Sequence, residues 1–96
     1  MLLDKVSKAL SDDNRLRILK FLGDGAHNVT QVADKLDVEE NLASHHLRVL
    51  STLGFLKNEK RCREVFYRIN ESKFVAIIKD LNKSAIFREI LEKAAE

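Results

Sequence analysis

Apolar residues recur three and four positions apart through most of this chain, and between residues 54 and 69 the spacing changes to short runs with aromatic and branched residues. Leu2, Leu3, Val6, Ala9 and Leu10 make one stripe near the N-terminus. Thr30 reads as the N-cap of a short helix that puts Val32, Ala33 and Leu36 on one face. A second helix begins near Glu40 and runs to Leu53, with Ala43, Leu47 and Leu50 as its inward stripe. Gly54 supplies a C-terminal stop. Phe55 to Lys60 and Val65 to Ile69 then read as strands of a β-hairpin, joined by Arg61, Cys62, Arg63 and Glu64. Ser72 is placed to cap a helix carrying Phe74, Val75, Ile77, Ile78 and Leu81, and the pattern resumes at Ile86, Phe87, Ile90 and Leu91.

The polar face of the second helix is richer in hydrogen-bonding groups than solubility requires. Opposite its apolar stripe lie Asn41, Leu42, Ser44, His45 and Arg48. Asn, Ser, His and Arg combine donors and acceptors that match base edges in a major groove, where a merely solvated face is usually filled with Glu and Lys. The hairpin adds charge. From Lys57 to Arg68 there are five cations against two anions, in a chain whose net charge is only +2. Lys60, Arg61 and Arg63 at such a tip suit phosphate contact, while the plain alternative is an edge hairpin protected from aggregation by charge. Of the histidines, His45 projects with Asn41 and Ser44, His46 sits beside the inward stripe as a buried hydrogen-bonding residue, and His27 reads as a surface residue in a glycine-bounded loop.

The run KALSDDNRLRILKFL (Lys8 to Leu22), then QVADKLDVEENLASHHLRVLSTLGFL (Gln31 to Leu56), then VFYRI (Val65 to Ile69), resembles the ArsR/SmtB family of small dimeric repressors. Order and spacing of these pieces together are far more specific than any one of them. The resemblance implies a mainly α fold with a small β-hairpin, a winged helix-turn-helix. It also implies a homodimer that binds an imperfect palindrome in double-stranded DNA and leaves it when an inducer binds. Carried over position by position, it makes Asn41, Ser44 and His45 base-reading residues, Arg48 a base or phosphate contact, and Arg61 and Arg63 the wing tip. Glu39 and Glu40 depart from the family's usual start of this helix; carboxylates there suit the helix dipole but repel phosphate. The family's metal ligands are also missing. Asn28, Val29, Thr30, Gln31 and Val32 stand where a cysteine pair would be, and Lys73, Asp80, Lys83 and Ile86 stand in the C-terminal region where Asp and His would be. No metal and no other cofactor is expected.

Ninety-six residues with no proline and no low-complexity tract make one domain, 1–96. A domain of this size buries roughly 60 to 68% of its unfolded surface, which leaves little interior for both terminal segments. Residues 1–10 and 72–95 are therefore expected to form a helical dimer interface through Leu2, Leu3, Val6, Phe74, Ile77, Ile78, Leu81, Ile86 and Ile90, burying on the order of 2,000 Å²; the alternative is that they close over the protomer's own core. The single Cys62 excludes an internal disulfide and is a candidate redox residue, since oxidation would add bulk and charge at the hairpin tip; an incidental small turn residue is the simpler reading. No apolar run is long enough for a membrane span and no signal-peptide pattern is present, so a soluble cytoplasmic protein is expected. No phosphate-binding glycine loop or nucleophile motif points to an enzyme. The reading is a DNA-binding transcriptional regulator, the alternative a winged helix used for protein contact in a larger complex.

Overall fold

A computed structural model describes residues 2–81 and 86–95; the side chains of Leu2, Leu3, Leu81, Ile86, Phe87, Arg88 and Ile90 lie outside that description. Among the described residues, six helices and three strands follow in the order α1 (Leu2–Leu10), α2 (Asp13–Leu22), β1 (His27–Asn28), α3 (Val29–Leu36), α4 (Glu40–Thr52), β2 (Leu56–Arg61), β3 (Glu64–Ile69), α5 (Glu71–Leu81) and α6 (Ile86–Ala95). The helix-turn-helix and the hairpin stand where the periodicity puts them.

Helix α2 opens on Asp12, whose carboxylate accepts from the Arg15 backbone N–H. Helix α3 opens earlier than a cap at Thr30 would allow. Asn28 is its cap, accepting from the Gln31 N–H at 2.8 Å while Gln31 Oε1 accepts from the Asn28 N–H at 2.9 Å, a reciprocal capping box. Asn outranks Thr as an N-cap, and the Gln three residues on completes the box. The tight turn to α4 is made by Asp37 in the left-handed region (φ 57°), where a short polar side chain is tolerated, and Val38 N–H returns to Ala33 O at 3.0 Å. Gly54 has φ +96°, a backbone conformation that requires glycine; a Cβ there would come within 2.9 Å of Lys73 Cδ, a flexible side chain that can move aside.

The sheet has three strands in the order β1-β3-β2, all antiparallel, so the hairpin is one part of a wing completed by His27 and Asn28 pairing with Tyr67 and Phe66. His27 is consequently no surface residue: it is half-buried, its ring stacked on Phe21 at 3.9 Å between centroids. At the other end, Asn70 rather than Ser72 starts α5, its Oδ1 accepting from the Lys73 N–H.

The core unites α1 to α4 with the start of β2. Ile18, Val32, Ala43, Leu47, Leu50 and Phe55 are 0% exposed, and Val6 and Leu10 are 2% exposed. Val6 therefore belongs to the protomer's own interior with Ala9, not to a pairing surface, because the face of α1 that carries it closes over α2. Phe74, Ile77 and Ile78 of α5 are only half-buried against that core. Leu2, Leu3, Leu81, Ile86 and Ile90, the other expected pairing side chains, fall outside the described ones. Leu47→Ala should lower the unfolding free energy by about 2 to 5 kcal/mol, read from the urea midpoint at constant slope.

Candidate nucleic-acid interface

Helix α4 is seated on one side and open on the other. Ala43, Leu47 and Leu50 are fully buried and His46 is 4% exposed, while Asn41, His45 and Arg48 lie exposed on the opposite ridge. Leu42 is also exposed, at 41%, and Ser44 is half-buried at the edge of that ridge. The structure thus brings Asn41, Ser44, His45 and Arg48 together on one helix, in a rotational setting fixed by the buried stripe.

Two polar contacts hold that helix against its neighbours. Arg15 Nε donates to His46 Nδ1 at 3.2 Å, joining α2 to the middle of α4, and the same guanidinium reaches Ala9 O at 3.5 Å. At the start of α4, the Thr30 hydroxyl donates to Glu40 Oε1 at 2.6 Å. This bond gives Glu40 a role across the turn, holding α3 and α4 together, whereas Glu39 makes no side-chain capping bond. Sequence gives no sign of Arg15 and Thr30 as supports for α4, since both contacts join separate helices.

The wing places its charges unevenly. The hairpin loop is two residues, Cys62 and Arg63, with Cys62 at φ 57° and exposed. Arg61 is drawn onto the outer face of the sheet, 4.9 Å from the Phe66 ring centroid and 3.3 Å from Glu59 Oε2. Asn28 Nδ2 donates to Glu64 Oε1 at 3.2 Å. Lys60 and Arg63 are exposed, and neither forms an ion pair among the described residues.

The positions where the sequence resemblance would put a metal-binding thiolate pair are occupied by the capping box and the Thr30 bond, side chains committed to holding α3. Among the described residues, no three His, Cys, Asp or Glu side chains gather in a way that could hold a metal ion.

A helix pinned at its first turn and at its middle and open along one ridge, beside a basic three-stranded wing, defines the winged helix-turn-helix class of DNA readers. A helix-turn-helix domain family matches residues 10–59. The chain is 41% identical over 68 residues to the cadmium resistance transcriptional regulatory protein CadC homolog of Staphylococcus aureus, covering 70% of this chain and 56% of that protein. It is 36% identical over 76 residues to an uncharacterized HTH-type transcriptional regulator of Methanocaldococcus jannaschii, covering 78% of this chain and 85% of that one. Among solved structures it is similar to an ArsR-like transcriptional regulator from Rhodococcus, with TM-score 0.74 and 29% identity over 85% of this chain and 77% of the other. It is similar also to the homodimeric winged helix-turn-helix DNA-binding domain of a Mycobacterium bovis protein, with TM-score 0.69 and 27% identity over 83% and 80%. The chain belongs to the ArsR/SmtB family of winged helix-turn-helix transcriptional regulators. It spans a little over half the length of the Staphylococcus relative, at 56%.

Burial holds His46 below the ordinary histidine pKa of 6.5, with Arg15 and His45 pushing the same way and Asp12 opposing them. The neutral ring is also what the Arg15 bond requires, because Nδ1 accepts. A histidine less basic when folded binds fewer protons than in the unfolded chain, so its stabilisation is complete above pH 6.5 and is lost as pH falls through the folded value. Thermal melts between pH 7.5 and 5 should show that loss. His46→Gln, which keeps an acceptor but does not titrate, should flatten it; an unchanged pH profile in the variant would remove His46 as the cause.

Proposed function

We propose that this chain is a homodimeric, sequence-specific DNA-binding repressor. In this reading α4 enters the major groove of an imperfect palindrome and Asn41, Ser44 and His45 read base edges. Arg48 meets base or phosphate, and Lys60, Arg61 and Arg63 meet the backbone. The observation that carries it is the exposed Asn41, His45 and Arg48 ridge on a helix whose other side is buried completely. Of the wing residues Arg63 is the stronger phosphate contact, since Arg61 is already engaged by Glu59 and Phe66.

Pairing of two copies is supported by apolar surface that the protomer leaves uncovered. Val75 and Leu91 are 51% and 52% exposed. Leu10, Leu16, Leu19, Phe74, Ile78 and Leu91 line an apolar groove of about 340 Å³ between α1, α2, α5 and α6. Two copies paired through this region must hold their α4 helices roughly 34 Å apart, one turn of DNA, to enter successive major grooves. A ligand that shifted the paired helices would change that spacing, with a coupling of typically 1 to 3 kcal/mol. The lack of the family's usual thiolate and Asp/His ligand positions argues for an inducer other than a metal held in those sites.

Fluorescence anisotropy against the DNA upstream of the protein's own gene and a scrambled duplex, at two salt concentrations, tests the DNA reading. About a thousandfold preference for the native duplex is expected; weak, equal binding to both would overturn it. Asn41→Ala should cost roughly 1 to 3 kcal/mol, chiefly on the cognate site, whereas Arg63→Ala should weaken all sequences alike and lower the salt slope by about one. Sedimentation equilibrium at micromolar concentration should return twice the 11.0 kDa of the single chain; a monomer would overturn the dimer.

A further inference from the structure

A second concentration of cations lies beside the reading ridge, on an element with no part in the helix-turn-helix. Helix α1 sets Lys5 and Lys8 three residues apart, on one flank of the buried stripe Val6, Ala9 and Leu10, and both are exposed. They face the C-terminal half of α4 across an open cleft of about 480 Å³. Its charged lining is Lys5, Lys8, Arg15 and Arg48, with His45 beside them, and no carboxylate is among the lining residues. Gathering like charges around a cleft is unfavourable unless an anion meets them. Arg15 is committed to His46, which leaves the two lysines and Arg48 as the groups directed at that anion.

The position of the cleft identifies the anion. His45 and Arg48 belong both to the cleft and to the outward ridge of α4, so whatever occupies the cleft lies alongside whatever the ridge reads. In a helix-turn-helix the N-terminal residues of the second helix reach the base edges. Its later residues run out toward the sugar-phosphate strand that borders the groove. Lys5 and Lys8 stand next to those later residues.

We propose that Lys5 and Lys8 bind backbone phosphates of the DNA strand flanking the C-terminal half of α4, extending the interface from the helix-turn-helix onto α1. This rests on the DNA-binding reading above. The test compares the wild-type chain with K5Q/K8Q and the charge-retaining K5R/K8R, measuring affinity for cognate and scrambled duplexes over a series of salt concentrations. K5Q/K8Q should weaken binding to both duplexes by the same factor, leaving their ratio unchanged, and should lower the slope of log affinity against log salt by about 0.9 for each phosphate no longer neutralised. K5R/K8R should keep the wild-type slope.

If K5Q/K8Q keeps the wild-type affinity and slope while Arg63→Ala shifts both, the α1 contact is overturned and the DNA reading stands. If the wild-type chain shows no salt-dependent binding, both fall. A loss shared by K5R/K8R, accompanied by a fall in the mass seen by sedimentation, would overturn the phosphate role in favour of a structural one.

Discussion

The rotational setting of α4 is what the rest of the interface depends on, and it is fixed by an apolar face with no exposure. Ala43, Leu47 and Leu50 are all buried completely in the cluster that includes Ile18, Val32 and Phe55. Each fully buried leucine contributes roughly 1.5 to 3 kcal/mol. Turning the helix by one residue, about 100°, would expose that face and drive Asn41 or Arg48 inward without partners. No set of single hydrogen bonds could impose so steep a preference. The polar ridge is therefore specified by the residues on the other side of the helix.

Burial sets the angle of α4 but restrains its sliding and tilt less well, and the two polar contacts act there. Thr30 to Glu40 holds its first turn against α3, and Arg15 to His46 holds its middle against α2. Each bond is worth about 0.5 to 1.5 kcal/mol net in a neutral case and somewhat more with a charged partner. They add little to the total stability beside the apolar stripe. Their effect is positional: both are long-range in sequence or cross a turn, and each ties a surface of α4 to a neighbouring helix.

The elements that sequence alone makes legible are those whose signal is local. A 3.6-residue repeat places α4, and with it Asn41, His45 and Arg48, because the same period that buries Leu47 exposes them. The hairpin is legible for a similar reason, an apolar start at Phe55 and Leu56 and an aromatic and β-branched run from Val65 to Ile69 on either side of a short polar turn. Strand β1 is not, since two residues carry no periodicity and His27 joins the sheet only through its pairing with Tyr67. The cap of α3 is misplaced by two residues because Thr30 is itself a good capping residue, and only the Asn28 to Gln31 reciprocity separates the two. Val6 shows a different limit. An apolar stripe on a terminal helix reads the same whether it closes over its own core or another subunit's, and packing against α2 decides it.

A chain with a net charge of only +2 is a weak long-range attractor for DNA, so its charges have to act by placement. Three carboxylates in the reading region are engaged by groups of the same chain: Glu40 by Thr30, Glu64 by Asn28 and Glu59 by Arg61. Each such bond holds the anion to one position and satisfies part of its demand for donors, which reduces its repulsion of a nearby phosphate. Apart from Arg61, which Glu59 and Phe66 hold, the cations are treated oppositely. Arg48, Lys60 and Arg63 project into solvent from three different places on the helix and wing. Fixed anions and extended cations favour a duplex whose phosphates fall at particular distances over one that is merely negative. The modest overall charge thereby becomes compatible with sequence discrimination, because less of the binding free energy is available to every duplex alike.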